Sequence, residues 1–199
     1  MATNAESKNI YLIGISGSGK STVGEALASQ LDWQFIDLDE RIEAITRQSV
    51  RKIFLEEGEE AFRMYEKAAL KSTEKLASTV VACGGGVVVL PEHRRWLKKQ
   101  TTVWLQVDPQ EAISRLGDEI AARPLLQPGE TDLLSTLKNL LAERKPFYQE
   151  ASRIQIRTDG MDPMDVAFSI QLELGFATDF DLDAGFDDLF KTDDDDDDF

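Results

Sequence analysis

Gly14-Ile15-Ser16-Gly17-Ser18-Gly19-Lys20-Ser21 carries a glycine, four residues, then Gly-Lys-Ser. Its setting matters as much as its letters. Ile10-Tyr11-Leu12-Ile13 before it is apolar and β-prone, and residues 22–30 after it alternate with helical period. A strand, a glycine loop and a helix in that order form a phosphate cradle. The glycines let several backbone N–H groups converge on one point, and the helix start adds the positive end of its dipole there. Lys20 then reaches the outer phosphates and the Ser21 hydroxyl ligates magnesium.

Outward from this loop, short apolar strands alternate with helical stretches. Strands are predicted at 10–15, 34–37, 79–83, 101–107 and 153–157. Helices are predicted at 20–31, 39–46, 50–57, 59–78, 91–99, 109–116, 131–150 and 163–174. The alternation predicts an α/β fold of three layers, with a five-stranded parallel sheet covered by helices on both faces. In such sheets ligands sit beyond the carboxyl ends of the strands, which puts residues 14–21, 37–39 and 84–86 along one edge. Residues 49–78 are longer than a minimal crossover and read as a small substrate-binding segment or lid. Residues 117–130 hold Gly117, Pro124, Pro128 and Gly129 around Arg123, a loop long enough to serve as a lid.

The 199 residues are 42% apolar and carry a net charge of -15. Eleven Asp and one Lys in residues 179–199 account for -10 of it, leaving -5 on residues 1–178. A mildly acidic body argues against general nucleic-acid binding, which needs a basic footprint. Residues 176–199 space Phe and Leu among Asp, and read as a disordered, solvated tail or an acidic interaction peptide of unknown partner. Cys83 is the single cysteine, so no intrachain disulfide forms, which fits a reducing compartment. Residues 1–8 are a polar extension without a signal-type apolar core, and no apolar run approaches the ~18 residues of a membrane span. The expected location is the cytoplasm, or the plastid stroma if a transit peptide has been removed.

Two further motifs end strands. Phe35-Ile36-Asp37-Leu38-Asp39 places two carboxylates where one can face a metal and the other an acceptor hydroxyl, or where they simply cap a helix. Cys83-Gly84-Gly85-Gly86 permits positive φ and close backbone approach, so that bare N–H groups can meet a ligand. Arg63, Arg123 and Arg144 each carry the fork that matches a carboxylate or phosphate, though singly each reads as easily as a surface charge. His93, between Glu92 and Arg94-Arg95, reads as a surface residue without a metal role. Trp33, Trp96 and Trp104 read as core or interface.

Taken together, and in order, these pieces resemble the shikimate kinase family, small P-loop kinases of the nucleoside monophosphate kinase-like group. The resemblance runs over about residues 9–174. It includes Gly58-Glu59-Glu60-Ala61-Phe62-Arg63-Met64-Tyr65-Glu66, Arg123-Pro124-Leu125-Leu126 and Arg144-Lys145-Pro146-Phe147-Tyr148. It implies ATP-dependent phosphorylation of the shikimate 3-hydroxyl with Mg2+, by a monomer. It places Gly17, Ser18, Gly19, Lys20, Ser21 and Thr22 on the ATP phosphates, Arg115 beside the adenine, and Ser21 and Asp37 on the metal. Asp39 is then the candidate base; Arg63 and Arg144 clamp the carboxylate of shikimate. Gly84, Gly85 and Gly86 offer N–H groups to the ring, Val50, Phe54 and Phe62 wall it, and Arg123 closes with the lid onto the moving phosphate. Three features depart from the family pattern: Thr158-Asp159-Gly160-Met161-Asp162-Pro163 lacks a basic residue, Asp118 and Glu119 put negative charge in the lid, and the Asp-rich tail has no counterpart. Two rivals remain open here: a kinase of another hydroxy acid such as gluconate, and a non-catalytic ligand sensor on the same scaffold.

Overall fold

A computed structural model describes residues 9–117, 120, 126 and 132–176. Five parallel strands form one sheet: β1 (Ile10–Ile13), β2 (Gln34–Asp37), β3 (Thr79–Ala82), β4 (Thr101–Gln106) and β5 (Ile154–Arg157), in the order β2-β3-β1-β4-β5. The helices are α1 (Lys20–Leu31), α2 (Leu38–Thr46), α3 (Val50–Glu56), α4 (Gly58–Ser72), α5 (Pro91–Leu97), α6 (Pro109–Leu116), α7 (Leu133–Ala151) and α8 (Pro163–Leu174).

Strand β1 lies at the sheet's centre and is buried along its whole length. Its alternation assigns the layers, because successive side chains leave opposite faces. Ile10 and Leu12 pack with Val23, Leu27, Val166 and Ile170 beneath α1 and α8. Tyr11 and Ile13 pack with Ile42, Leu70, Leu97, Leu137 and Tyr148 beneath α2, α4, α5 and α7. A sheet covered on both faces is what continuous apolar strands require. The three tryptophans serve this packing: Trp104 stacks on Tyr148, Trp96 meets Tyr11 edge-on, and Trp33 meets Phe176.

Three expectations need correction. The first, third and fourth strands end one or two residues early, because Gly14, Cys83 and Val107 already belong to loops, and the fifth starts one residue late. The helix expected over 59–78 stops at Ser72 and gives way to a 3-10 turn at Thr73–Lys75. There Asn9 Nδ2 donates to the Thr73 and Leu76 carbonyls at 3.0 Å each, holding the chain out of helical register. His93 is not on the surface: it is 4% exposed, and its Nδ1 lies 3.0 Å from the Val87 carbonyl. Helix α5 turns His93 toward the loop after β3 and leaves Glu92 and Arg95 outside.

Candidate active site

The loop after β1 is shaped by the backbone around it. A Cβ at Gly14 would lie 2.5 Å from the Leu105 carbonyl oxygen, and one at Gly17 would lie 2.4 Å from that of Ala112. Gly17 and Gly19 sit at φ 79° and 86°, which side chains rarely adopt. Gly19 is thus the left-handed N-cap of α1, whose first turn faces the loop. Lys20 Nζ folds back to the Ile15 carbonyl at 2.8 Å.

Strand β2 delivers Asp37 to the same place, where its two carboxylate oxygens take different partners. Its Oδ1 accepts from the Asp39 and Glu40 N–H groups, capping α2. Its Oδ2 accepts from the Ser21 hydroxyl at 2.7 Å. A hydroxyl and a carboxylate meeting at the rim of the phosphate loop suit a hard cation that keeps much of its water and takes its other ligands from phosphate. Among the described residues no group of three or more His, Cys, Asp or Glu could hold a metal ion.

Two adjoining hollows share a wall. One holds Gly17, Gly19, Lys20, Ser21, Thr22, Asp37 and Arg115. Its neighbour is lined by Arg63, Glu66, Arg144 and an apolar wall of Val50, Phe54 and Phe62. Ser16, Asp39, Val50, Gly84 and Gly85 line both. Asp39, in the first turn of α2, therefore stands at the boundary between the phosphate loop and the second hollow. The partition is thin because glycine makes it so. A Cβ on Gly84 would lie 2.8 Å from Asp39 Oδ1, and one on Gly86 would lie 2.4 Å from Arg63 Nη2. None of Gly84, Gly85 and Gly86 has positive φ; close approach, and not an unusual turn, is what requires glycine at 84 and 86.

Charge in the second hollow is concentrated and buried. Arg63 Nη1 donates to Glu66 at 2.9 Å, and Nη2 donates to Glu59 at 2.8 Å. Burial opposes the Arg63 charge, but Glu66 and Glu59 more than offset it and raise the guanidinium's pKa. Burial pushes Glu66 up to about 7; Arg63 pulls the other way, and Asp39 adds to the rise. Arg144 Nη1 donates to the Gly85 carbonyl at 3.2 Å. Burial also drives the Cys83 thiol well up, with Glu66 adding to it, so it is an inert packing residue.

Arg115 points from α6 to the loop after β5, where Nη1 donates to Thr158 Oγ1 at 3.0 Å and Nη2 to the Thr158 carbonyl and Glu111. The segment without a basic residue of its own is thus tied down by this arginine. Arg123 lies outside the described residues, as does most of the expected lid at 117–130. Glu66 and Tyr148 received no role in the sequence reading, yet Glu66 lines the second hollow and Tyr148 bonds the Gly85 carbonyl behind it. Their signal was helical spacing: Glu66 follows Arg63 by three residues, and Tyr148 follows Arg144 by four.

Residues 16–174 match the family model described as shikimate kinase. The chain belongs to the shikimate kinase family. A shikimate kinase of Prochlorococcus marinus (strain MIT 9211) is 37% identical over 178 residues, spanning 89% of each chain. A bifunctional shikimate kinase/3-dehydroquinate synthase of Thermotoga maritima is 46% identical over 73% of this chain and 28% of its own. Among solved structures, shikimate kinase from Acinetobacter baumannii in complex with shikimate aligns with a TM-score of 0.80 at 35% identity, covering 85% of this chain and 94% of that one. Membership in the shikimate kinase family accounts for the two-hollow arrangement: a phosphotransferase must hold donor and acceptor side by side. Among the described residues no helix is long and apolar enough to cross a membrane.

Proposed function

We propose that this protein transfers the γ-phosphoryl group of ATP to the 3-hydroxyl of shikimate, giving ADP and shikimate 3-phosphate, a step toward chorismate and the aromatic amino acids. The observation that carries this reading is the position of Asp39. It stands where the phosphate-loop hollow meets a hollow containing two buried arginines and an apolar wall.

In this reading Arg63 and Arg144 take the carboxylate of the acid, and Val50, Phe54 and Phe62 support its carbon ring. The N–H groups of the Gly84–Gly86 segment meet its hydroxyls. Asp39 orients the 3-hydroxyl and accepts its proton as that oxygen bonds to the γ-phosphorus and the bond to the ADP oxygen breaks. Gly17 to Thr22 hold the ATP phosphates, with Lys20 on the outer ones and Arg115 beside the base. Mg2+, held by Ser21 and through water by Asp37, would neutralise phosphate charge. Arg123 would close with residues 117–130 and complete the positive surround. Positioning and charge neutralisation are most of what a loose phosphoryl-transfer transition state needs. The reading includes a monomer in the cytoplasm or plastid stroma, with residues 49–78 as the acid-binding segment and the acidic tail outside the catalytic unit.

A coupled ADP-release assay over a panel of hydroxy acids tests it. Shikimate is expected to support turnover and gluconate not. Turnover of gluconate alone would reassign the acceptor, and ligand binding without ADP release would make the protein a sensor.

A further inference from the structure

Tyr148 is a fully buried phenol whose hydroxyl meets Gly85 and the Arg144 side chain. Its ring stacks on Trp104 of β4, centroids 5.5 Å apart and planes at 20°. Its hydroxyl donates to the Gly85 carbonyl oxygen at 2.5 Å. Arg144, one turn earlier on α7, donates to the same oxygen at 3.2 Å. Two donors from one helix thus converge on a single carbonyl in the loop that separates the two hollows.

The consequence follows from peptide geometry. The Gly85–Gly86 bond is trans, as are all the described peptide bonds, so the Gly85 C=O and the Gly86 N–H point in opposite directions. Drawing the carbonyl toward α7 turns the Gly86 N–H away from it. The N–H groups of Gly85 and Gly86 have no acceptor among the described residues. They border the hollow that also holds Arg63, Glu66 and Arg144. Burial raises the phenol's pKa, Arg144 pulling against it, so the hydroxyl stays a protonated donor. Buried polar atoms of this kind are costly to leave unmatched, which gives the contact its hold on the loop.

We infer that Tyr148 is a positioning residue for the acid substrate: by fixing the Gly85 carbonyl through its stacked ring and hydroxyl, it aims the Gly86 N–H into the substrate hollow and holds the Arg144 side chain beside it. In the absence of the Tyr148 hydroxyl, Arg144 alone must hold the carbonyl. The inference rests on the function proposed above, because it concerns the acid that the hollow receives.

Tyr148→Phe removes the hydroxyl and keeps the ring on Trp104. The shikimate KM is expected to rise about ten-fold while the ATP KM changes less than about two-fold. Ile170→Val, in the core beneath α8, serves as a variant of reduced stability with no contact to this loop, and its shikimate KM is expected to match the wild type. An unchanged shikimate KM in Tyr148→Phe, or equal rises for ATP and shikimate, would overturn the inference and leave Tyr148 a packing residue. Should Tyr148→Phe fail to fold, the wild-type protein still decides: shikimate must shift the Gly86 amide resonance, and an unmoved resonance at saturating shikimate rejects the aim of that N–H. Absence of shikimate turnover in the wild type would instead refute the proposed function itself, before any variant is made.

Discussion

The Glu66 carboxylate and the Arg63 guanidinium stand 2.9 Å apart, one helical turn apart on α4, with their side chains 1% and 9% exposed. The pair is not a simple ion pair. Asp39 approaches from across Gly84, where an added Cβ would lie 2.8 Å from Asp39 Oδ1 and 3.2 Å from Glu66 Oε1. Two carboxylates therefore face each other across Gly84, and Glu66 retains an oxygen, Oε1, with no hydrogen-bond partner among the described residues. Burial and Asp39 together outweigh Arg63 and bring the Glu66 pKa to about 7.

This makes stability depend on pH with a definite sign. Glu66 titrates near 4.5 when unfolded and near 7 when folded. Between those values the folded state binds more protons, so its contribution to stability is complete below about pH 4.5 and is lost as pH rises through 7. Glu66→Gln has no such proton. The wild-type Tm minus the Glu66→Gln Tm is expected to fall between pH 5 and pH 8 in thermal melts. A difference that holds constant or rises over that range rejects the assignment.

Arg63 has a second partner that is easier to remove. Glu59 receives its Nη2 at 2.8 Å and is 52% exposed. A carboxylate arriving at the Arg63 fork competes with Glu59. An exposed ion pair of this kind is worth between about 0.2 and 1 kcal/mol. Glu59→Ala is therefore expected to tighten shikimate binding by roughly 1.5- to 5-fold in calorimetry, with ATP affinity unchanged. Weaker binding would show that Glu59 holds the fork in place and does not block it.

The layer order and the phosphate loop were legible from local pattern alone, because β1 and residues 14–21 are decided by apolar runs and glycine spacing. The helix break at Ser72 was not, because it depends on Asn9, more than sixty residues earlier, bonding across to Thr73 and Leu76. His93 was misjudged for a related reason: its neighbours in sequence are charged, but its neighbour in space is the Val87 carbonyl. The triple glycine was noticed and partly misread. Its purpose is room for Arg63 and Asp39, which only the packed structure reveals. Asp37 could not be assigned between capping and ligand duties from sequence, and it performs the first with one oxygen while offering the other to Ser21.

Asp39 separates chemistry from binding most cleanly. If it orients and deprotonates the acceptor, Asp39→Asn keeps the shape of the shared wall but loses the basic oxygen. Turnover is expected to drop about 100- to 10,000-fold, while the dissociation constant for ATP stays within about three-fold. Single-turnover kinetics beside ATP calorimetry give both numbers. A fall in ATP affinity as large as the fall in rate would place Asp39 on the nucleotide and not on the acceptor.

Gly86 and Gly17 face the same steric test with different consequences. A Cβ on Gly86 would sit 2.4 Å from Arg63 Nη2 and 2.5 Å from Nη1. The obstructed atoms are the far end of a flexible side chain, so the fold accommodates the methyl by displacing the guanidinium. A Cβ on Gly17 would sit 2.4 Å from the Ala112 carbonyl oxygen, at a φ of 79°. That obstruction is backbone, and the conformation itself disfavours a side chain, so the loop must distort. Gly86→Ala is expected to raise the shikimate KM about ten-fold or more with the ATP KM nearly unchanged, and to lower Tm through the unpairing of buried Glu66 from Arg63. Gly17→Ala is expected to weaken ATP binding and lower Tm. Steady-state kinetics in both substrates separate the two outcomes, and thermal melts read the loss of Tm. A Gly86→Ala enzyme with normal shikimate affinity would mean that Arg63 moves aside without loss, and hence that its fork does not grip the acid.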